Sequence, residues 1–137
     1  MAYWLLKSEP SAYSWDQLVK DKRMNWSGVR NFQAAANLKA MKKGDRAFFY
    51  HSGEGKEIVG VAEIVKEAHP DPSDKEGKFV QVDVVPVEPV KTPVNLATIK
   101  ATAALKNMPL VKLSRLSVSP VSADEWRTIA KMAGIKA

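Results

Sequence analysis

The sequence predicts one α+β domain, a small, mixed and mostly antiparallel β-barrel with short flanking helices. A chain of 137 residues has the length of a single domain, and we assign residues 1–137 to one unit. Its apolar runs vary in length and are mixed with short capped helices. They lack the regular strand–helix alternation of a parallel, doubly wound sheet. The absence of cysteine excludes disulfides, thiolate zinc sites and a cysteine nucleophile.

The first third of the chain predicts one strand and two helices. Residues 3–7 read YWLLK, a short apolar strand that ends before a proline. Ser14 is the expected cap of a short helix, and Gln17, three residues later, completes a capping box. An irregular loop, WSGVRN at residues 26–31, follows. Its last residue, Asn31, caps an alanine-rich helix.

The middle of the chain predicts three strands. The first covers residues 46–52, and the second covers residues 57–70 with a bend at Gly60. A polar loop rich in turn residues separates them from a third, strictly alternating strand over residues 79–90. Two prolines near the end of that strand indicate that it is an edge strand there, because proline cannot donate to a ladder.

The last third predicts a helix, a strand and a closing helix. Asn95 caps a short helix, and residues 108–120 form the last strand. Ser122 and Glu125 make a capping box for the final helix. Gly134 supplies the left-handed residue that ends this helix.

Charge is distributed unevenly along the chain. Residues 20–46 carry eight Lys or Arg against two acids, residues 54–90 carry four against nine, and residues 100–137 carry seven against two. If the outer thirds meet in the fold, one face is basic and the other acidic, and the basic face is suited to a polyanion. The alternative is that these charges are solvated and only keep the protein soluble. No signal peptide or run of about 18 apolar residues occurs, so we expect a cytoplasmic protein without a membrane segment. The sequence leaves the oligomeric state open, and we assume a monomer.

The usual catalytic and metal-binding patterns are missing. The two histidines, His51 and His69, have no HxxH or HxxxH spacing, and no glycine-rich phosphate loop is present. His51 and Ser52 are neighbours on a strand and point to opposite faces, so they do not form a nucleophile–base pair. We therefore expect no metal, no cofactor and no catalysis. An enzyme that uses Glu9, His51 or Tyr50 as acid or base remains an alternative.

Polar side chains follow the predicted strands, where loops at a barrel rim build pockets. Trp26 offers a flat apolar surface there, and stacking a nucleobase on it is worth about 1–3 kcal/mol. Arg30 is suited to a phosphate or a base edge. The alternative is that Trp26 is core and that Arg30 only pairs with Glu9. The strand-end residues are Lys7, Ser8 and Glu9, then Tyr50, His51 and Ser52, then Ser114, Arg115 and Ser117.

Five strings occur in one order along the chain: WLLKSEP, WSGVRNFQA, MKKGDRAFFYHS, GVAEIV and LSRLSVSPV. Through them the chain closely resembles the EVE domain family over about residues 2–133. The resemblance implies a PUA-like fold, a compact barrel of mixed strands with helices at its sides. It also implies a module that binds nucleic acid carrying a modified base, with modified cytosine in DNA as the leading candidate.

The resemblance further implies the residues of a base pocket, since the family's strings match this chain position by position. The expected function is recognition of a base such as 5-methylcytosine or 5-hydroxymethylcytosine, flipped into an aromatic-lined pocket of a DNA-binding protein. DNA is preferred over RNA as the partner, and a small-metabolite-binding domain is a further alternative. The implied pocket residues are Lys7, Ser8, Glu9, Trp26, Gly28, Val29, Arg30, Asn31, Tyr50, His51, Ser52, Arg115, Leu116, Ser117 and Val118.

Overall fold

The computed structural model describes residues 1–53 and 55–136, so Glu54 and Ala137 of the predicted domain lie outside the described residues. The strands are β1 (Tyr3–Ser8), β2 (Met24–Trp26), β3 (Arg46–His51), β4 (Glu57–Pro70), β5 (Val80–Asn95) and β6 (Val118–Val121). The helices are α1 (Trp15–Asp21), α2 (Phe32–Ala40), α3 (Leu96–Ala101), α4 (Pro109–Lys112) and α5 (Ala123–Ala133), with a 3₁₀ turn at Ala103–Leu105. None of these helices is long and apolar enough to cross a membrane.

The six strands form one sheet in the order β2–β5–β4–β3–β1–β6. β1 and β3 run parallel and the other neighbouring pairs are antiparallel, which confirms the mixed, mostly antiparallel α+β class. The predicted barrel is wrong, because the edge strands β2 and β6 do not pair with each other within the described residues. Both edges are short, and α2 packs against β6 instead. The Asn37 Nδ2 of α2 donates to the Val118 carbonyl at 2.7 Å.

The two long strands, β4 and β5, bend through irregular pairing. The register shifts between Ile58 and Gly60, where the sequence predicts a bend. A Cβ at Gly60 would lie 2.6 Å from the indole of Trp15, so this glycine lets α1 pack closely on the sheet. Pro86 and Pro89 lie beyond the short segment of β5 that pairs with β2. The prediction that β5 is an edge near its end is therefore confirmed.

The sheet has a hydrophobic core on each face, and β3 contributes to both. Phe48 stacks on Trp126 of α5 with 3.8 Å between ring centroids. Its neighbour Phe49 points to the opposite face and meets Trp15 at 5.5 Å and Trp26 at 5.7 Å. Burial of each phenylalanine contributes about 1.5–3 kcal/mol. The α1–α2 face therefore packs around Phe49, next to the WSGVRN loop, and the α5 face packs around Phe48.

Helix caps follow the predictions closely. Ser122 and Glu125 form the complete capping box of α5. Ser14 accepts from the Gln17 amide at the start of α1 as predicted. The Gln17 side chain, however, donates to Asp21 at 2.8 Å, so it does not complete the predicted box. In a capping box the glutamine oxygen accepts from the N-cap N–H, whereas here the Gln17 Nε2 donates to a carboxylate one turn onward in a charge-assisted hydrogen bond.

One further local prediction is wrong, and one strand was missed. The segment 108–120 is not one strand, since Pro109 begins α4 and extended structure returns only at β6. Proline is favoured at the first position of a helix, where its missing N–H leaves no bond unmade. The strand β2 was not predicted, because three residues are too few to show alternation. It matters for function, because it ends at Trp26.

Candidate functional site

A cleft of about 370 Å³ lies between the turn that follows β1 and the loop that follows β2. Its volume is within the range of pockets that enclose a small molecule. Nine of the fifteen residues implied by the resemblance line it: Lys7, Ser8, Glu9, Trp26, Gly28, Val29, Arg30, Asn31 and Ser117. Ala12, Tyr13, Met24 and Ser27 complete the lining, and the sequence did not single these four out.

Trp26 forms part of the cleft wall and part of the core at once. Its surface is only 6% exposed, and its ring meets Phe49 edge-on at an interplanar angle of 88°. The core alternative therefore holds for most of the indole. The open stacking surface expected from the sequence is reduced to the part of the ring that borders the cleft.

The WSGVRN loop is held near its middle and at its end. Gly28 has a φ of +78°, and no atom lies within 4 Å of a Cβ built on it. A glycine is therefore required at this position by the left-handed backbone conformation, because there is room for a side chain. The Gly28 N–H donates to Asp71 at 2.8 Å. At the end of the loop, the Asn31 side chain accepts from the Ala34 amide at 2.9 Å and caps α2 as predicted.

The carboxylate that holds this loop belongs to Asp71, which the sequence did not indicate as a site residue. Asp71 is 2% exposed and accepts from the Ser73 hydroxyl at 2.6 Å, the Ser73 amide at 2.8 Å and Arg30 at 3.1 Å, besides Gly28. Burial raises the pKa of this carboxyl, but the hydrogen bonds outweigh that effect and lower the pKa to about 2. The DPS string signals a local Asx turn. It carries no signal for partners more than 40 residues away.

Arg30 is a wall of the cleft with most of its donors already engaged. Its Nη1 donates to Asp71 and to the Val29 carbonyl, each at 3.1 Å. Its Nη2 donates to the Ser73 hydroxyl at 2.9 Å. The guanidinium carbon also lies 5.4 Å from the ring centre of Phe79. Arg30 therefore pairs with Asp71 and not with Glu9, and its charge is partly neutralised before any ligand arrives.

The turn after β1 supplies the polar side of the cleft. The Lys7 ammonium donates to the Ser114 carbonyl at 2.8 Å, and burial lowers the pKa of Lys7. The Ser8 hydroxyl donates to the Tyr13 carbonyl at 2.6 Å, which leaves its oxygen able to accept. Glu9 is exposed at the rim. The cleft thus combines an apolar indole wall with the polar groups of Lys7, Ser8 and Glu9.

Tyr50, His51 and Ser52 lie outside this cleft. Tyr50 is buried in the α5-side core, where desolvation raises its pKa. The Nε2 of His51 accepts from the Trp15 amide at 3.0 Å. Burial lowers the pKa of His51, so the neutral ring holds the start of α1. The Ser52 amide donates to the Ser8 carbonyl at 2.9 Å and thereby supports the turn after β1.

Three residues of the last string also lie outside the cleft. Arg115 and Leu116 line a separate hollow of about 320 Å³ that shares Asn31 with the cleft. Val118 is buried on β6. Arg115 is exposed, and within the described residues no carboxylate pairs with it. It is therefore a cation next to the cleft, not part of its lining.

The predicted separation of a basic and an acidic face does not hold for the arginines of residues 20–46. Each of them pairs with an acid of residues 54–90, and for Arg23 and Arg46 the antiparallel pairing of β2 with β5 and of β3 with β4 brings the segments together. The pairs are Arg23–Asp83 at 2.7 Å, Arg30–Asp71 at 3.1 Å and Arg46–Glu63 at 3.8 Å. Among the described residues, no group of three or more His, Asp or Glu side chains is placed to hold a metal ion.

Comparisons with known proteins agree on one family. The protein-family model described as "EVE domain" matches residues 2–132 of this chain. Thymocyte nuclear protein 1 of Homo sapiens is 38% identical in an alignment that covers 91% of this chain and 71% of the human protein.

Solved structures extend the comparison to the fold. An NMR structure of a protein from Rhodopseudomonas palustris is 57% identical with a TM-score of 0.93, and the match covers 98% of this chain and 94% of that one. A crystal structure of human THYN1 in complex with 5-methylcytosine-containing DNA is 34% identical with a TM-score of 0.90, over 100% of both chains.

Proposed function

This chain belongs to the EVE domain family, and from that premise we propose that it binds DNA and holds a modified base in the cleft beside Trp26. The base is 5-methylcytosine or a close derivative such as 5-hydroxymethylcytosine. One observation carries the proposal: an indole wall, a half-exposed arginine and the polar turn after β1 line a single cleft of about 370 Å³. The complex of human THYN1 with 5-methylcytosine-containing DNA supports the choice of ligand.

A base reaches such a cleft only by leaving its stack, at a cost of a few kcal/mol. Contact with the part of Trp26 that borders the cleft offsets a share of that cost, since stacking on a fully open aromatic ring is worth about 1–3 kcal/mol per base. The Glu9 carboxylate is suited to accept from the exocyclic amine of cytosine. Burial of a methyl group adds only about 1 kcal/mol, so selectivity for it depends on shape and on exclusion of water.

The WSGVRN loop is fixed by hydrogen bonds, so the site is preorganised for a ligand. Asp71 fixes the middle of the WSGVRN loop and Asn31 fixes its end, so little further ordering is required when the base enters. Because Arg30 is paired with Asp71, we assign general attraction of phosphate mainly to other cations such as Arg115.

We propose binding without catalysis, in the cytoplasm and by a monomer. The three groups that an enzyme would use are poorly placed for it. His51 is engaged as an acceptor from the backbone of α1, Tyr50 lies in the α5-side core, and Glu9 alone reaches the cleft. A lone exposed carboxylate lacks the partner that would tune it as an acid or base.

Trp26→Leu tests the proposal better than Trp26→Ala, since truncation of this packed ring to alanine costs about 3–5 kcal/mol of stability. We expect Trp26→Leu to bind a 5-methylcytosine oligonucleotide about tenfold more weakly, as fluorescence anisotropy would show, because the flat wall is lost. Tyr50→Phe is the matched control, because Tyr50 lies outside the cleft, and it should bind like the wild type. The proposal fails if the wild type binds methylated and unmethylated oligonucleotides equally, or if Trp26→Leu keeps full affinity.

A further inference from the structure

Phe32, the first residue of α2, presents a large apolar ring to solvent. It is 71% exposed, although burial of a phenylalanine contributes about 1.5–3 kcal/mol to stability. A single exposed apolar side chain is ordinary on a protein surface. Phe32, however, does not stand alone, because it extends an aromatic surface that is anchored in the core.

The Phe32 ring lies against Phe79, with 5.1 Å between centroids and an interplanar angle of 28°. Phe79 is half-buried against the α1–α2-side core, and its amide donates to Asp74 at 2.8 Å. The guanidinium of Arg30 lies over the same ring at 5.4 Å. We call Phe32, Phe79 and Arg30 the aromatic shelf. Its lower ring is fixed, so the exposed ring rests on a defined support.

The aromatic shelf begins where the cleft ends. Arg30 belongs to both, and Asn31, which also lines the cleft, directly precedes Phe32. The cap that Asn31 makes on α2 fixes the direction in which the helix leaves the cleft. A strand with one base in the cleft would therefore have its next nucleotide close to the exposed ring of Phe32.

We propose that the aromatic shelf stacks the base adjacent to the modified nucleotide on the same DNA strand. This inference rests on the proposed function. When one base leaves its stack, its neighbour loses a stacking partner, and proteins that distort DNA commonly insert an apolar side chain at that place. An aromatic ring accepts any base, because every base has a π face. The shelf therefore adds affinity for a strand without reading its sequence, whereas the cleft reads the modification.

The test compares a free nucleoside, which reaches only the cleft, with an oligonucleotide, which reaches both surfaces. The probes are 5-methyl-2′-deoxycytidine, followed by the Trp26 indole resonance, and a single-stranded oligonucleotide with 2-aminopurine beside 5-methylcytosine. We expect Phe32→Ala to bind the oligonucleotide about five- to tenfold more weakly and to abolish the quenching of 2-aminopurine. Its nucleoside affinity should stay within about twofold of wild type, and Phe32→Trp should restore both oligonucleotide signals.

Val19→Ala is the matched control, because Val19 is 48% exposed on α1 and does not line the cleft. It should leave every signal unchanged. The proposed stacking is contradicted if Phe32→Ala binds the oligonucleotide like the wild type. It is also contradicted if the substitution lowers the affinity for nucleoside and for oligonucleotide equally. If the wild-type protein binds no nucleoside, the proposed function fails and the shelf fails with it. That outcome differs from a loss confined to Phe32→Ala.

Discussion

Asp45 and Asp71 are both buried carboxylates surrounded by donors, yet they hold different parts of the molecule. Asp45 accepts from the Ala2 amide at 3.1 Å, the Trp4 indole at 3.0 Å and the Lys42 amide at 2.9 Å. Burial raises the pKa of Asp45, and these bonds together with the terminal charge lower it overall, as happens at Asp71. The donors of Asp45 fasten β1 to the turn before β3, and none of them lines the cleft.

Asp71 holds a wall of the cleft, whereas Asp45 holds the start of a strand. Two of its donors, Gly28 and Arg30, belong to the WSGVRN loop, and one of these is a cation. Asp45 and Asp71 thus share the same local chemistry, a buried carboxylate whose hydrogen bonds lower its pKa. Its consequence for function depends on which segment it holds and on whether it neutralises a charge there.

The largest expected effect separates the two carboxylates. Asp71→Asn and Asp45→Asn should each cost about 2 kcal/mol of unfolding free energy, because each replaces hydrogen bonds to a charged acceptor. Only Asp71→Asn should also weaken binding of a methylated oligonucleotide, by about tenfold, because the loop is released. Its affinity for unmethylated DNA should not fall, since phosphate is attracted mainly by other cations such as Arg115 and Arg30 keeps its charge.

Urea unfolding and fluorescence anisotropy measure the two quantities on the same variants. If both substitutions weaken binding equally, the distinction between the two carboxylates is unfounded. Equal loss of methylated and unmethylated binding by Asp71→Asn would show that Asp71 acts on general DNA affinity and not on the cleft.

The pH dependence of stability tests whether the pKa of Asp71 is lowered in the folded protein. The pKa of Asp71 is about 2 in the folded protein against an ordinary value of 3.8. The folded protein therefore gains stability above about pH 4 and loses it as the pH falls towards 2. The shift corresponds to about 2 kcal/mol. The difference in unfolding free energy between wild type and Asp71→Asn should shrink between pH 5 and pH 2.5, measured by urea titration. A constant difference would contradict the lowered pKa.

The smallest expected effect concerns the backbone of the loop. Gly28 and Gly77 both have positive φ, +78° and +73°, and both have open space where a Cβ would lie. Gly28→Ala and Gly77→Ala should therefore lose a similar stability, about 1 kcal/mol, from left-handed strain. Only Gly28→Ala should weaken binding, about threefold, since Gly77 does not line the cleft. A binding loss for Gly77→Ala of equal size would argue against a specific role of the loop.

Local features of this protein were predictable from the sequence because their partners lie within a few residues. The caps at Asn31, Asn95 and Ser122 each join a side chain to an amide three residues later. Gly134 ends α5 in the left-handed conformation, as predicted. The family strings were recognisable because each is a continuous stretch of the chain. The turn after β1 and the WSGVRN loop, which belong to two of these strings, line one cleft.

Other features depended on contacts between distant segments. The sheet stays open because its edge strands are short and α2 packs against β6, and no local pattern encodes that. The side chains of Tyr50 and His51 are engaged in the α5-side core and at the start of α1, which their place in a family string does not reveal.

The α+β class, the side-chain caps at Asn31, Asn95 and Ser122, the glycine of the WSGVRN loop and the family were all readable from the sequence. The tertiary structure decided which of the polar strand ends share a cleft, how deeply Trp26 is buried, and that Arg30 meets Asp71. The difference is one of distance along the chain between the interacting residues. A cap or a turn is satisfied within about four residues of chain. Burial and ion pairing are set by segments that meet only after folding, here 41 residues apart.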